Sequence, residues 1–427
     1  MSLTRTDYPN IGETLFSGTL ANGLRAAVLP RPGFLKKYAF FAANYGGVMR
    51  DFSIGGRRVA SPEGVAHFLE HKLFDMPWGN ALPLLSGRGA MPNAYTSDFI
   101  TAYHFECVEG FYENLDTLLE FVSTPYFTAE SVEKEQGIIG EEIGMTENDP
   151  GHALYYGLMR CLYEHCRVRD SIVGTAESIA AITPEILADC HRAFYAPSNM
   201  LLCVVGDVEP ERVAEAAERI LPRELSPVPE PDYGEPEGLE PFTERFTKEM
   251  DVSAPQFMFG VKLPPEGTGD ELLRRKLTTA LALRALAGTS SKLYTSMYSE
   301  GLIRSFWNEA DWGPCAAYAV FGGEGREPET VLGRFLDAAK DVSERGFDAE
   351  SFENCRRAEY GMRIRALGRA SAVADSIARN SFAGCEALRS FELLPEIDRG
   401  ECESFVREYL RPERTALSVI LPRPRKD

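Results

Sequence analysis

Apolar positions along this chain follow two periods. Tyr38 to Tyr45 (YAFFAANY, closed by Gly46-Gly47), Thr101 to Cys107 and Met200 to Val205 are short apolar runs bounded by turn residues, which predicts buried strands. Leu20 to Pro30 carries Asn22-Gly23 ahead of another apolar run and reads as a hairpin leading into a strand. The turn-rich stretch 87–92 then leads into Asn93-Ala94-Tyr95-Thr96-Ser97, a further strand. Over 110–122, 130–147 and 153–164 the spacing changes to 3.6 residues, which predicts helices. Val65, Phe68, Leu69 and Leu73, following Ser61-Pro62, share that period and place one more helix across Gly64 to Phe74.

The order of these elements reads as a duplication. Six prolines (222, 227, 229, 231, 236 and 241) fall among many acids within 222–241, the chemistry of a linker. Phe194 to Val205 and Tyr409 to Ile420, offset by 215 residues, both run helix end, proline, short turn, apolar strand. The expected fold is α+β: two tandem homologous domains, each a mostly antiparallel sheet packed with helices. They would span 1–221 and 242–427, joined by the Pro/Glu-rich linker 222–241.

Composition narrows the functional classes. The 427 residues carry 45 Lys plus Arg against 64 Asp plus Glu, a net charge of −19, so a phosphate-binding surface for nucleic acid is not expected. Met1 to Phe16 has no apolar run resembling an export signal, and no stretch reaches the 18 or so apolar residues of a membrane span. A cytoplasmic chain is the expectation. Its nine scattered cysteines lack a C-x-x-C and fit free thiols better than a disulfide framework.

Chemistry concentrates in the predicted helix at 64–74. His67 and His71, four residues apart, leave one helical face a turn from each other, the separation at which two imidazoles can share a metal ion. Glu70 lies beside them, within reach of a metal-bound water. The order H-x-x-E-H is the inverzincin signature, yet it would arise by chance in roughly one chain in a hundred of this composition. A catalytic zinc usually takes three protein ligands. Glu135 and Glu142, seven apart on the predicted helix 130–147, share a stripe that could supply the third; taken alone, such a stripe in so acidic a chain reads more often as a solvated face. All six histidines precede residue 192, so a metal site would belong to the first half alone and the second repeat would be degenerate. His104, between Tyr103 and Phe105, reads as a strand residue, and Trp307 and Trp312 as core or interface.

His67-Phe68-Leu69-Glu70-His71, followed about seventy residues later by Glu135 and Glu142-Ile143, resembles the pitrilysin family of inverzincin metallopeptidases. The closest likeness is to its short-chain branch, which includes the mitochondrial processing peptidases and bacterial relatives. Asn93 to Ser97, Asp149-Pro150 and Val173 to Ile179 sit where that family has similar segments. The resemblance implies one zinc ion per chain held by His67, His71 and Glu142, with Glu70 as general base and Glu135 as an auxiliary acid. It also implies an edge strand at Asn93 and Ala94, along which a peptide substrate lies as an added strand. Active single-site relatives carry an Arg and a Tyr in a second-half segment, and here those positions fall on Met297 and Arg304. Losing such donors would cost about 3 kcal/mol of transition-state stabilisation. Two expectations follow. One is a zinc endopeptidase completed by a homologous partner subunit, as a heterodimer or a homodimer. The other is a non-catalytic peptide-binding or assembly subunit with a structural metal.

Overall fold

Turn chemistry starts the first sheet. Asn22-Gly23 reverses the chain between strands Glu13–Thr19 and Arg25–Pro30: Gly23 takes φ +87°, and the Leu24 N–H donates to Asn22 Oδ1 at 3.2 Å. This computed structural model describes residues 3–424; Met1 and Ser2, the start of the stretch read above for an export signal, lie outside the described residues. Seven strands follow in the spatial order Thr4–Tyr8, Glu13–Thr19, Arg25–Pro30, Met200–Gly206, Lys37–Ala43, Thr101–Cys107, Met91–Thr96. Met91–Thr96 is therefore an edge strand. A second, five-stranded sheet runs Arg245–Met250, Thr415–Pro422, Gln256–Leu263, Ala317–Gly325, Ile303–Trp312.

The predicted duplication is visible in strand order and sense. Met200–Gly206 lies parallel to Arg25–Pro30 and antiparallel to Lys37–Ala43. Thr415–Pro422 lies parallel to Arg245–Met250 and antiparallel to Gln256–Leu263 in the same way. Two antiparallel strands complete each set, and the remaining pairings in both sheets are antiparallel. Apolar alternation cannot report this shared topology, because it registers which face a residue occupies and not which strand lies beside it.

The compact units do not follow the linear division at 222–241. One comprises residues up to Ile143, Ser171–Tyr233 and Ile364–Leu388; the other comprises Gly144–Asp170, Gly234–Arg363 and the chain from Arg389 onward. Helix Pro150–Leu162, from the first half of the sequence, covers the five-stranded sheet across Thr415–Pro422, Gln256–Leu263 and Arg245–Met250. Helix Ala370–Phe382, from the second half, covers Met200–Gly206 and Lys37–Ala43 of the seven-stranded sheet. The close seat of Pro150–Leu162 depends on Gly157, where a Cβ would come 2.3 Å from the Phe246 ring and 2.8 Å from Ser418 Oγ. A boundary drawn from composition cannot see this exchange, since a helix's apolar stripe does not name the sheet it will cover.

The linker is pinned within each unit. Glu230–Asp232 pairs as a short strand with Asp51–Ile54 in the first. In the second, the Glu237 carboxylate accepts the backbone N–H groups of Glu164, His165 and Cys166 at 2.9, 2.7 and 2.6 Å and lies 3.3 Å from Lys262 Nζ. Among the described residues, no helix is long and apolar enough to cross a membrane.

Candidate metal centre

The H-x-x-E-H helix spans Val65–Leu73, and its start is set by a backbone turn that only glycine takes easily. Gly64 has φ +85°, and a Cβ there would come 2.7 Å from Ile179 Cδ1 and 2.8 Å from the Val173 carbonyl. Gly174 stands against it with φ +80°, and a Cβ there would come 2.8 Å from Glu63 O. The segment Val173 to Ile179 thus forms the wall against which the helix begins. Gly64→Ala is expected to destabilise the chain by about 2 to 4 kcal/mol through left-handed strain plus overpacking. Denaturant unfolding of the variant measures this, and zinc content reports whether His67 has moved.

Apart from His71, every residue of this helix is buried against its surroundings, including the strands Met91–Thr96 and Thr101–Cys107. His67 and His71 stand with ring centroids 4.6 Å apart. Helix Ala129–Glu147 brings Glu142 to them: His67 Nε2 is 3.6 Å from Glu142 Oε1, and His71 Nε2 is 3.8 Å from Glu142 Oε2. One donor atom from each of the three lies within 4.8 Å of the others, the only such cluster among the described residues. Tetrahedral zinc with bonds of about 2.0–2.1 Å separates its ligand atoms by roughly 3.3 Å, so closing onto an ion requires the donor atoms to approach one another by up to about 1.5 Å. Two imidazoles and one carboxylate are also a donor set suited to zinc.

The two acids on the stripe divide the work. Glu135 stays out of the cluster: its Oε1 lies 3.0 Å from His71 Nδ1, a contact that fixes the ring with Nε2 on the side of Glu142. Glu135 Oε2 lies 3.9 Å from the buried Lys72 Nζ, which also pairs with Asp75. His67 has no matching partner, because its Nδ1 is buried without a hydrogen bond among the described residues. Burial, with the nearby His71, pulls the His67 imidazole down to about 3 and keeps it neutral, as a ligand must be. For His71 burial pulls the same way, but the Glu135 hydrogen bond and the surrounding carboxylates outweigh it and raise its pKa.

Glu70 is held separately from the His67, His71 and Glu142 cluster. Its Oε2 accepts a hydrogen bond from Thr96 Oγ1 at 2.7 Å. Burial raises its carboxyl above the usual range even though Thr96 and His71 stabilise the anion. Proton affinity of that kind suits a base that must take up a proton and give it back. Asn93 and Ala94 lie on the edge strand Met91–Thr96, whose far end supplies this Thr96 contact. The Ala94 N–H donates to Asn93 Oδ1 at 2.9 Å, a local cap on an edge group.

Residue spacing singles out neither Thr96 nor Gly64 as part of the site. Thr96 falls in a segment that reads as a strand, and two-residue alternation predicts its face but not its partner on another element. His104 is in strand Thr101–Cys107 beside the rings of Tyr38, Phe40 and Tyr95, outside the cluster. In the second unit, Met297 is buried on helix Lys292–Ser299, and Arg304 pairs with Glu324 at 2.7 Å. A core methionine and an ion-paired surface arginine thus stand at the positions where the resemblance implies Arg and Tyr.

Sequence comparison matches residues 55–176 to the family described as Insulinase (Peptidase family M16) and residues 181–359 to the one described as Peptidase M16 inactive domain. The chain is 35% identical to the uncharacterized zinc protease YmfH of Bacillus subtilis, over 98% of this chain and 99% of that one. Its fold is similar to that of an M16-like peptidase from Alicyclobacillus acidocaldarius, with TM-score 0.93 and 31% identity over 98% of this chain and 100% of the other. A protease from Helicobacter pylori shares the fold at TM-score 0.80 and 19% identity, covering 96% and 99% of the two chains.

Proposed function

We propose, from the premise that this chain belongs to peptidase family M16, the pitrilysin-type metallopeptidases, that it is a zinc-dependent endopeptidase acting on peptides or unfolded segments. It would be the metal-bearing subunit of a two-chain enzyme. The observation that carries this reading is the convergence of His67, His71 and Glu142 beside a separately held Glu70. His67, His71 and Glu142 would hold one zinc ion, which supplies Lewis acidity and lowers the pKa of a bound water towards 7.

The chain's own groups account for the rest. Glu70 takes the proton of the attacking water and returns it to the leaving amine, while Thr96 keeps its carboxylate from turning away. Glu135 keeps the His71 ring oriented. The edge strand Met91–Thr96 offers backbone groups to an extended peptide, with Asn93 Oδ1 giving way at Ala94. Backbone pairing selects for an extended chain more than for particular side chains.

Metal content is the direct test. The purified chain is expected to hold one zinc per molecule after dialysis against micromolar zinc, and Glu142→Ala to hold less than a tenth of that. Equal zinc content in the two would remove Glu142 from the site and with it the proposed centre.

A further inference from the structure

The fold brings two of the nine cysteines together in the second unit. Cys166 and Cys315, 149 positions apart, are both reduced thiols, and their sulfur atoms lie 3.4 Å apart. Neither side of this contact is loose. The Cys166 N–H is held by Glu237 Oε1 at 2.6 Å, and Glu237 is itself anchored on the buried Lys262. Cys315 sits in the turn joining Ile303–Trp312 to Ala317–Gly325, closed by the Gly313 N–H to the Ala316 carbonyl at 2.8 Å. The Tyr163 hydroxyl, three residues before Cys166, donates to the Ala317 carbonyl at 2.9 Å and holds the two segments at this spacing. Cys166 is buried, whereas Cys315 is partly open to solvent.

We propose that Cys166 and Cys315 form a reversible dithiol–disulfide site, oxidised by hydrogen peroxide and reset by a small thiol. Cys315, the accessible member, reacts first as its thiolate. Its sulfur attacks one peroxide oxygen, the S–O bond forms as O–O breaks, and the departing hydroxide takes up the proton the thiol has lost, giving water. Cys166 then attacks the sulfenic sulfur. The S–S bond forms as S–O breaks, and hydroxide leaves with the Cys166 proton as a second water. Two thiols are oxidised by two electrons in all, and the peroxide is reduced to two waters. Bringing the sulfurs from 3.4 Å to a bond of about 2.0 Å is within reach of side-chain rotation. Buried thiols provide internal controls: burial pushes Cys190 up to about 11 and Cys203 up to about 12, so neither offers a reactive thiolate.

The experiment treats the whole folded chain with equimolar hydrogen peroxide, then alkylates it in denaturant and maps the peptides without reduction. The expected result is a loss of about 2 Da in intact mass, two fewer alkylated cysteines, and a single linked peptide pair containing Cys166 and Cys315, all reversed by dithiothreitol. The oxidised chain should melt about 5 °C higher, because the bond closes a long loop. Cys315→Ser should abolish the linked pair, and Cys166→Ser should leave a sulfenic acid on Cys315 that a dimedone probe captures. Full alkylation of both residues after peroxide, or linkage of either to another cysteine, overturns the proposal. Melting of each variant in its reduced state at the wild-type temperature shows that a lost linkage is not a lost fold. None of these readouts depends on peptidase activity.

Discussion

Glu70→Gln is expected to lower peptide hydrolysis by a factor on the order of 10³ while leaving zinc content unchanged. The substitution keeps the size of the side chain and an oxygen for the Thr96 hydroxyl, and Glu70 is not among the clustered donor atoms. What it removes is the capacity to accept a proton from water and deliver it to the leaving nitrogen. Cleavage of an unstructured fluorogenic peptide, with zinc measured in parallel, separates the two effects. A variant that keeps its rate would remove Glu70 from the role of base, whereas zinc bound with no cleavage by either chain, alone or with a partner, would favour the other reading, a peptide-binding subunit whose metal is structural.

The second large effect concerns what the chain lacks. A homologous partner carrying an arginine and a tyrosine in its second-half segment is expected to raise peptidase activity about a hundredfold over the isolated chain, corresponding to about 3 kcal/mol of restored transition-state stabilisation. The expectation rests on Met297 and Arg304, which are committed to the core and to Glu324. Mixing the Glu70→Gln chain with the same partner should give no gain, which identifies the metal-bearing chain as the source of the base. A full rate from the isolated chain would mean that other donors complete the site.

Much of this site could be read from residue spacing because its central geometry is local. His67, Glu70 and His71 belong to a single helix, and Glu135 and Glu142 to another, so helical periodicity fixes each set internally. The same periodicity could not decide whether the acids faced solvent or the histidines. That meeting of two helices is a long-range event, and the structure supplies it by placing Glu142 beside both imidazoles and Glu135 behind one. The assignment of Pro150–Leu162 and Ala370–Phe382 to opposite sheets was equally illegible. So was the contact between Cys166 and Cys315, since residues so far apart along the chain leave no periodic trace of their meeting.

The exchange of those two helices bears on how the molecule is made. As the polypeptide leaves the ribosome, the seven-stranded sheet has all its strands once residue 206 is out, yet one face stays wet until residue 382 of 427 emerges. The nascent N-terminal unit therefore passes through the synthesis of residues 207–382 with an apolar surface uncovered, a natural substrate for a holding chaperone. For the same reason, cutting the gene at the linker and expressing the halves separately should yield two insoluble fragments that recover only when refolded together.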